Sequence, residues 1–440
     1  MVPHQFGIVL FRNTCASVSS EMKTLAVLCL SAELAFSYSF VASQPGIKNT
    51  HFLARRQQSG GANPGGPLNC PFNPDHIFPT PVTDQFPYNS AKGGKPGKGI
   101  GGYLVPAIGD EAHKFIAPTD RDIRGPCPGL NAAANHGFIA RDGITNYTEL
   151  VDAVQNVYNM GYDLANFLAV FSIFIADGDL VTKKLSIGCD ATTRTSFNPV
   201  LTGSQPGLVG HNKFEADSSL TRNDFFLGKG DNFNFNGTLF GMMTETTGGT
   251  FDLEGLAKFR YERYVQSRRD NPNFFFGPLG VFTHGAASFV YELFPSGTEG
   301  YVPNLQNTAA FFGAQQEADG TWSHIPERIP ENWTTRQKPY SLLDVGGQIF
   351  SMYSKYPVGF GGNVNGKFIG LDFPPYIQGG NLTAAKPSDY ACLLYQLVAG
   401  PIPSSLNGII TPTVTALQFV LTAIGGESFT NLGCPIPLTK

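Results

Sequence analysis

The sequence predicts an all-α fold, a single mostly helical domain threaded by long loops. Three observations lead there. Apolar residues recur at helical spacing in several separate stretches. Neither a strand-rich block nor a repeat of fixed period accompanies them. Gly and Pro are abundant, 51 and 32 of 440 residues, so much of the remaining chain must be loop. A chain of this kind needs more than regular elements to order it, such as a cofactor, disulfides or glycans.

In chain order, residues 1–56 read as an upstream segment, a secretory signal and a possible pro-segment. Met22-Lys23 is followed by the apolar run Thr24 to Phe36 and the small residues Val41-Ala42-Ser43. Arg55-Arg56 offers a dibasic processing site. The apolar run is too short to span a bilayer, so no stable membrane insertion is expected, with a membrane anchor as the alternative. The domain proper is expected over 57–440, with 57–102, rich in Gly, Pro, Asn and Lys, as an extended arm. A helical region opens near Cys127 and is broken at Asp142-Gly143. Thr145 or Asn146 can cap the next helix, on which Leu150, Val154, Val157 and Tyr158 share a face. Leu164 to Ala176 is apolar nearly all round and reads as a buried core helix, ended by Asp177-Gly178-Asp179. Phe251 to Arg269 reads as amphipathic, with basic residues towards its C-terminus and Asn271-Pro272 as its stop. A further helix runs from Pro278 or Gly280 to about Phe294. One helix is expected over Ser341–Lys355 within the loop-rich region 297–385, and two close the chain over 388–398 and 413–424.

The formal net charge is −4, and Lys and Arg form no basic stripe, so nucleic acid is excluded as a partner. A small-molecule substrate and a monomer or weak dimer are expected instead. Asn146, Asn236, Asn332 and Asn381 each open a glycosylation sequon, which suits a secreted, extracellular glycoprotein. Outside the signal region five cysteines remain, Cys70, Cys127, Cys189, Cys392 and Cys434. An odd number in an oxidising compartment leaves a thiol that must be protected, buried or bound. Cys70 and Cys189 could pair with each other, which the sequence leaves open.

Arg124-Gly125-Pro126-Cys127-Pro128 is the most informative segment. Pro suits the first position of a helix, because its missing N–H is not needed there. Cys127 then becomes the N-cap, facing unpaired backbone amides and the positive end of the helix dipole. Such a place stabilises a thiolate, and amide donors tune a metal bound to the sulfur. A thiolate on haem iron favours O–O cleavage. The plainer alternative is a structural or disulfide cysteine after a turn.

The segment from Pro126 to Ile144 resembles the proximal motif of the haem-thiolate peroxidases, meaning chloroperoxidase and the unspecific (aromatic) peroxygenases. The resemblance continues through Asp179 to Gly188, Phe214 to Arg222, Asn271 to Phe274 and Pro330 to Trp333, and ends with the two late cysteines. It implies an all-α fold, haem b with Cys127 as axial iron ligand, H₂O₂ as co-substrate and a disulfide between Cys392 and Cys434. It also implies Mg²⁺ near a haem propionate. The long peroxygenases carry Glu-Gly-Asp-Ala-Ser where this chain has Glu215-Ala216-Asp217-Ser218-Ser219. Carried over, the ligands are the Glu215 carboxylate, the Ala216 carbonyl and the Ser219 hydroxyl, oxygen donors of the kind Mg²⁺ takes. An acidic helix N-terminus is the plainer reading. The short members have a His within this motif; Ala216 places the chain with the long group.

The pattern breaks on the opposite side. The long peroxygenases use a distal Glu seven residues after an Arg, two helical turns on one face. Aligning Thr283–Ser288 to their segment puts Ala287 at the Glu position and Gly280 at the Arg position; a one-residue shift gives Ala286 and Leu279. Neither group is present in either register. His284, three residues before Ala287 and four after Gly280, shares their face and is the candidate proton shuttle. Its alternative is a core or pocket-wall histidine. Glu292 is a candidate misaligned acid, while His211 and His136 read as structural. The expected activity is H₂O₂-dependent oxidation or oxygenation of small apolar or aromatic molecules. The alternatives are a haem-thiolate protein carrying out a rearrangement or dehydration, and a secreted binding protein without catalysis. A cytochrome P450 lacks support, because the residues before Cys127 do not show that family's Phe-and-Gly cysteine loop.

Overall fold

The computed structural model describes residues 70–174, 178–199, 204–212, 215–372 and 376–383, with 389, 392 and 393. The signal and pro-segment fall outside them. So do Cys434 and, apart from those last three residues, the two closing helices.

The fold is mostly helical. Its α-helices among the described residues are α1 (Pro128–Asn135), α2 (Tyr147–Tyr158), α3 (Tyr162–Phe174), the short α4 (Thr192–Thr195), α5 (Gly237–Thr247), α6 (Leu253–Asp270), α7 (Phe282–Leu293), α8 (Leu305–Phe312) and α9 (Leu342–Lys355). The strands among the described residues are short. They form two-stranded antiparallel ribbons and one three-stranded sheet, in which Phe275–Phe276 pairs with Gly361–Val364 and that strand with Lys367–Gly370.

Local chemistry explains the helix boundaries. Asn146 caps α2 by accepting from the Glu149 amide, and α2 stops at Asn159 in the left-handed region. Asn236, Asp252 and Asn304 cap α5, α6 and α8 in the same way. Ser341 and Asp344 form a reciprocal capping box at the start of α9. A 3₁₀ turn over Pro278–Val281 leads into α7. Helix α3 is buried on most sides, as its all-round apolar sequence requires, and its Asn166 Oδ1 accepts from Tyr147 Oη at 2.8 Å. Among the described residues, no helix is long and apolar enough to cross a membrane.

One hydrophobic core joins these elements. Helix α2 packs on α3, α6 on α5 and α7, α9 on α6 and α7, and α8 on α1. The arm has no core of its own and is tied along α2. Asn156 exchanges two hydrogen bonds with Ala91, Asp152 accepts from the Gly93 and Gly94 amides, and Asn89 donates to Asn159. A Cys70–Cys189 disulfide, 119 residues apart, closes the arm onto the body. In the chain-entropy model such a loop contributes roughly 4–5 kcal/mol. Cys392 is also disulfide-bonded.

Two elements differ from expectation. Helix α8 lies inside a region read as loop; eight residues give too few turns for a clear periodicity. Helix α6 is not amphipathic in the usual sense, because its buried face carries Arg260, Arg263 and Ser267 beside Leu256 and Phe259. These polar groups hold the loop over residues 215–224. Arg263 Nε donates to the Ser219 carbonyl at 2.9 Å, Arg260 donates to the Ser218 carbonyl, and Ser267 donates to Asp224.

Candidate functional site

A largely apolar cavity sits between α1, α2, α3, α7 and α9 and the loop over 215–222. Its void, open mouth included, is about 1470 Å³. Cys127, Glu215, Ser219 and Arg222 stand on its wall, with Phe167, Phe282, Phe289 and Phe294 among the apolar residues that make up most of the rest.

Cys127 is the N-cap of α1 in extended conformation, with Pro128 at the first helical position. It is the free cysteine among the described residues. The residue is partly buried and stands on the cavity wall. Burial pushes the thiol pKa up. The Leu130 and Gly129 amides and the Arg222 charge oppose this, although neither amide reaches full capping geometry. The loop before the helix is fixed from several sides. The Gly125 amide donates to Asn131 Oδ1 at 2.9 Å, and Asn131 Nδ2 donates back to the Gly125 carbonyl at 2.9 Å. A Cβ on Gly125 would lie 1.7 Å from the Ile187 carbonyl oxygen, so only glycine lets these segments approach so closely.

His136, expected to be structural, bridges this region to residue 329. Its Nδ1 lies 2.9 Å from the His113 carbonyl oxygen, and its Nε2 accepts from the Ile329 amide at 3.2 Å. Burial lowers its pKa to about 4, so the ring is neutral. His211 stacks on Phe225 at 4.6 Å and is likewise pushed down to about 4 by burial.

The loop after His211 brings Glu215 and Ser219 to the cavity, while Ala216 lies buried just behind its wall. Burial raises the Glu215 pKa to about 7, opposed by Ser219, Arg222 and Arg260. Glu215 Oε1 is buried without a hydrogen-bond partner. An orphaned carboxylate oxygen at an apolar wall is costly unless a further group satisfies it.

Helix α7 forms the wall through Phe282, Thr283, Gly285, Ala286, Phe289, Val290 and Leu293. This distinguishes the two expected registers. Ala286, not Ala287, faces the cavity; Ala287 is fully buried on the other side of the helix. His284 shares a helix face with Gly280 and Ala287, as the spacing predicts, but that face is turned away. None of the three lines the cavity, and the His284 ring packs against Phe276 and Tyr353. Burial and the Arg260 charge hold its pKa well below the usual value, and its Nδ1 has no hydrogen-bond partner. Glu292 is also off the wall, engaged with Arg336 at 3.0 Å and with Gln348. Sequence reasoning gave no role to Arg222 or Glu327, although Arg222 ended one of the quoted motifs.

The site thus sets an N-cap cysteine against an apolar internal cavity within a helical domain. Residues 113–338 match the family "Peroxidase, family 2". The chain is 34% identical to the aromatic peroxidase fscJ of Fusarium equiseti, over 73% of this chain and 78% of that one. It is 30% identical to the dothistromin biosynthesis peroxidase dotB of Dothistroma septosporum, over 76% and 82% respectively. An aromatic peroxygenase of Coprinellus radians is 36% identical over 51% of this chain and 87% of its own. The chain belongs to peroxidase family 2, the haem-thiolate peroxidases. Membership implies haem, and the residues present fit it: a thiol and a buried cation on one wall, apolar side chains around, and an unsatisfied carboxylate oxygen at the edge.

Proposed function

We propose that the protein is a secreted haem-thiolate oxidoreductase that uses H₂O₂ to oxidise or oxygenate a small apolar or aromatic molecule, with Cys127 as the axial ligand. The observation that carries this reading is the position of Cys127, at a helix N-cap on the wall of an apolar cavity. Haem, when bound, supplies the oxidising chemistry. The chain's own residues place the sulfur at the N-terminus of α1, where the Gly129 and Leu130 amides favour its anion against the cost of burial, and the phenylalanine wall excludes water. Glu215 and Ser219, with the Ala216 carbonyl, would hold Mg²⁺; the unpartnered Glu215 oxygen supports a cation there. The Cys70–Cys189 disulfide supports secretion. For glycosylation, Asn332 and Asn381 are the exposed sequons, whereas the Asn146 and Asn236 side chains are engaged as helix caps.

A second reading is favoured by Ala286. The cavity face of α7 carries no carboxylate, imidazole or cation, so proton transfer during peroxide activation lacks its usual side chain there. This supports a family member whose reaction is a rearrangement or dehydration.

The reduced CO complex tests the first proposal. The native protein is expected to show the thiolate-type Soret band, and Cys127→Ser to lose it while staying folded. A native spectrum without that band refutes the assignment. Metal analysis on the same samples is expected to find magnesium in the native protein and little in Glu215→Gln; equal content removes Glu215 from the site.

A further inference from the structure

Behind the cysteine loop lies a buried ionic pair that the proposed chemistry has not used. Arg222 is 2% exposed and lines the cavity. Its Nε donates to the Pro126 carbonyl, the residue before Cys127, at 3.2 Å. Its Nη1 donates to Thr221 Oγ1 at 3.3 Å, and its Nη2 lies 3.9 Å from Glu327 Oε1. Glu327 is 2% exposed as well. The same Oε1 accepts from Asn131 Nδ2 at 2.8 Å and lies 3.4 Å from His324 Nε2. The Glu327 carbonyl accepts from Asn135 Nδ2 at 2.7 Å. Asn131 in turn holds both polar groups of Gly125. One carboxylate, 200 residues beyond Cys127, therefore grips the helix that Cys127 caps and the guanidinium that braces the loop before it.

A buried ion pair of this kind seldom stabilises a fold over a well-packed apolar pair, because desolvation offsets the attraction. Its cost is better understood if the charge acts on something nearby. The group that gains is the sulfur, since a permanently charged guanidinium beside a thiolate in a dry site is felt strongly. Burial tends to raise the Glu327 pKa, but His324, Arg222 and Asn131 outweigh it and keep the group below the usual carboxylate range.

We infer that Arg222 and Glu327 are an electrostatic positioning pair for the Cys127 thiolate: Arg222 withdraws electron density from the sulfur, and Glu327 limits how far it does so. The inference rests on Cys127 being the haem ligand. Charged and hydrogen-bonding groups behind a metal ligand set its basicity and hence the metal's potential. Taking away the Arg222 charge makes the thiolate a stronger donor and favours ferric iron. Taking away the Glu327 charge leaves Arg222 uncompensated and favours ferrous iron. The two effects have opposite signs. A purely structural role would loosen the same loop in both variants and move them in the same direction.

The test is the ferric/ferrous potential of the holoprotein by spectroelectrochemistry, with the CO-complex spectrum as a control for thiolate ligation. Arg222→Met is expected to disfavour reduction and Glu327→Gln to favour it, each by about tenfold in the equilibrium constant, or about 59 mV for a one-electron couple. Arg222→Lys, which keeps the charge, is expected to stay near the native value. If Arg222→Met does not fold, Glu327→Gln still decides, because a downward or absent shift overturns the proposal. Shifts of equal sign in the two variants overturn it too. A native protein without a thiolate-type CO spectrum overturns instead the ligand assignment beneath it.

Discussion

Replacing Ala286 with Glu puts a carboxylate on the cavity face of α7, whereas the same change one residue later buries it. Successive helical residues are about 100° apart, so the neighbours face different surroundings. Ala286 lines the cavity and keeps an accessible surface; Ala287 is 0% exposed. A positioned general base contributes roughly 10²–10⁴-fold to a proton-transfer step, or about 3–5 kcal/mol at 1.36 kcal/mol per decade. Ala286→Glu is therefore expected to raise kcat/KM for peroxide-driven oxidation of a small aromatic by up to that factor, with little change in Tm. Ala287→Glu places an unpaired carboxylate in a packed interior, which costs several kcal/mol, so Tm should fall with no rate gain. Ala286→Gln controls for shape and should gain nothing. In this register the arginine of the usual pair would fall at Leu279, which does not line the cavity, and at Gly280 a Cβ would already lie 2.8 Å from the Phe276 ring. A rate gain in Ala287→Glu but not in Ala286→Glu would refute the assignment of helix faces. No gain in either would mean that the native site activates peroxide by other means.

If His284 is a packing residue, His284→Ala should leave peroxide turnover unchanged while lowering stability by about 2–4 kcal/mol through the cavity it creates. His284→Phe should restore stability without loss of turnover, since it fills the space and removes an unpaired buried nitrogen; a large turnover loss in both variants would return the histidine to the mechanism. A pH effect follows from His136 and His211, whose folded pKa values of about 4 lie below the unfolded value of about 6.5. The unfolded chain takes up the protons first as pH falls, so folding stability decreases between about pH 6.5 and 4, by up to about 1.4 kcal/mol per pH unit for each histidine. Denaturant unfolding at pH 7, 6 and 5 measures this, and a profile unchanged by His136→Gln would refute the share assigned to that ring.

How much could be read beforehand varied with the range of the interaction. The N-cap role of Cys127 was legible because Pro128 and the helix after it are local signals. A cap at Thr145 or Asn146 and a helix starting near Ser341 were legible for the same reason, although the choice of Asn146 and the capping box at Ser341 were not. The register of α7 was not. Leu279 and Ala286 are spaced like Gly280 and Ala287, and only the packing of α7 on α6 and α9 decides which face meets the cavity. The buried arginines of α6 were misread because their partners are carbonyls and carboxylates of the 215–224 loop, some 40 residues earlier in the chain. Glu327 gave no local signal at all, since its partners Asn131 and Arg222 lie far from it in sequence.

The two walls of the cavity are held by different means, and this bears on which functions can change while the fold persists. The Cys127 wall depends on contacts that cannot be altered singly. Gly125 fits only as glycine against Ile187, the Asn131 side chain makes three hydrogen bonds to Gly125 and Glu327, and loss of Arg222 or Glu327 leaves the other's charge uncompensated. Disturbing one of them strains the loop that carries the sulfur. The α7 wall presents side chains from a helix anchored by its opposite face, where His284, Ala287 and Ser288 are buried; Ser288 bonds Tyr340 and Gln348 there. A residue such as Ala286 projects into open volume, so its identity has little bearing on whether α7 forms or where it packs. Whether that position carries an acid therefore bears little on stability, whereas loss of the cysteine's supports would cost stability. The support of the Cys127 wall and the chemical character of the α7 wall are thus separable in this scaffold, and substitutions at the second can change its chemistry while the first is kept in full.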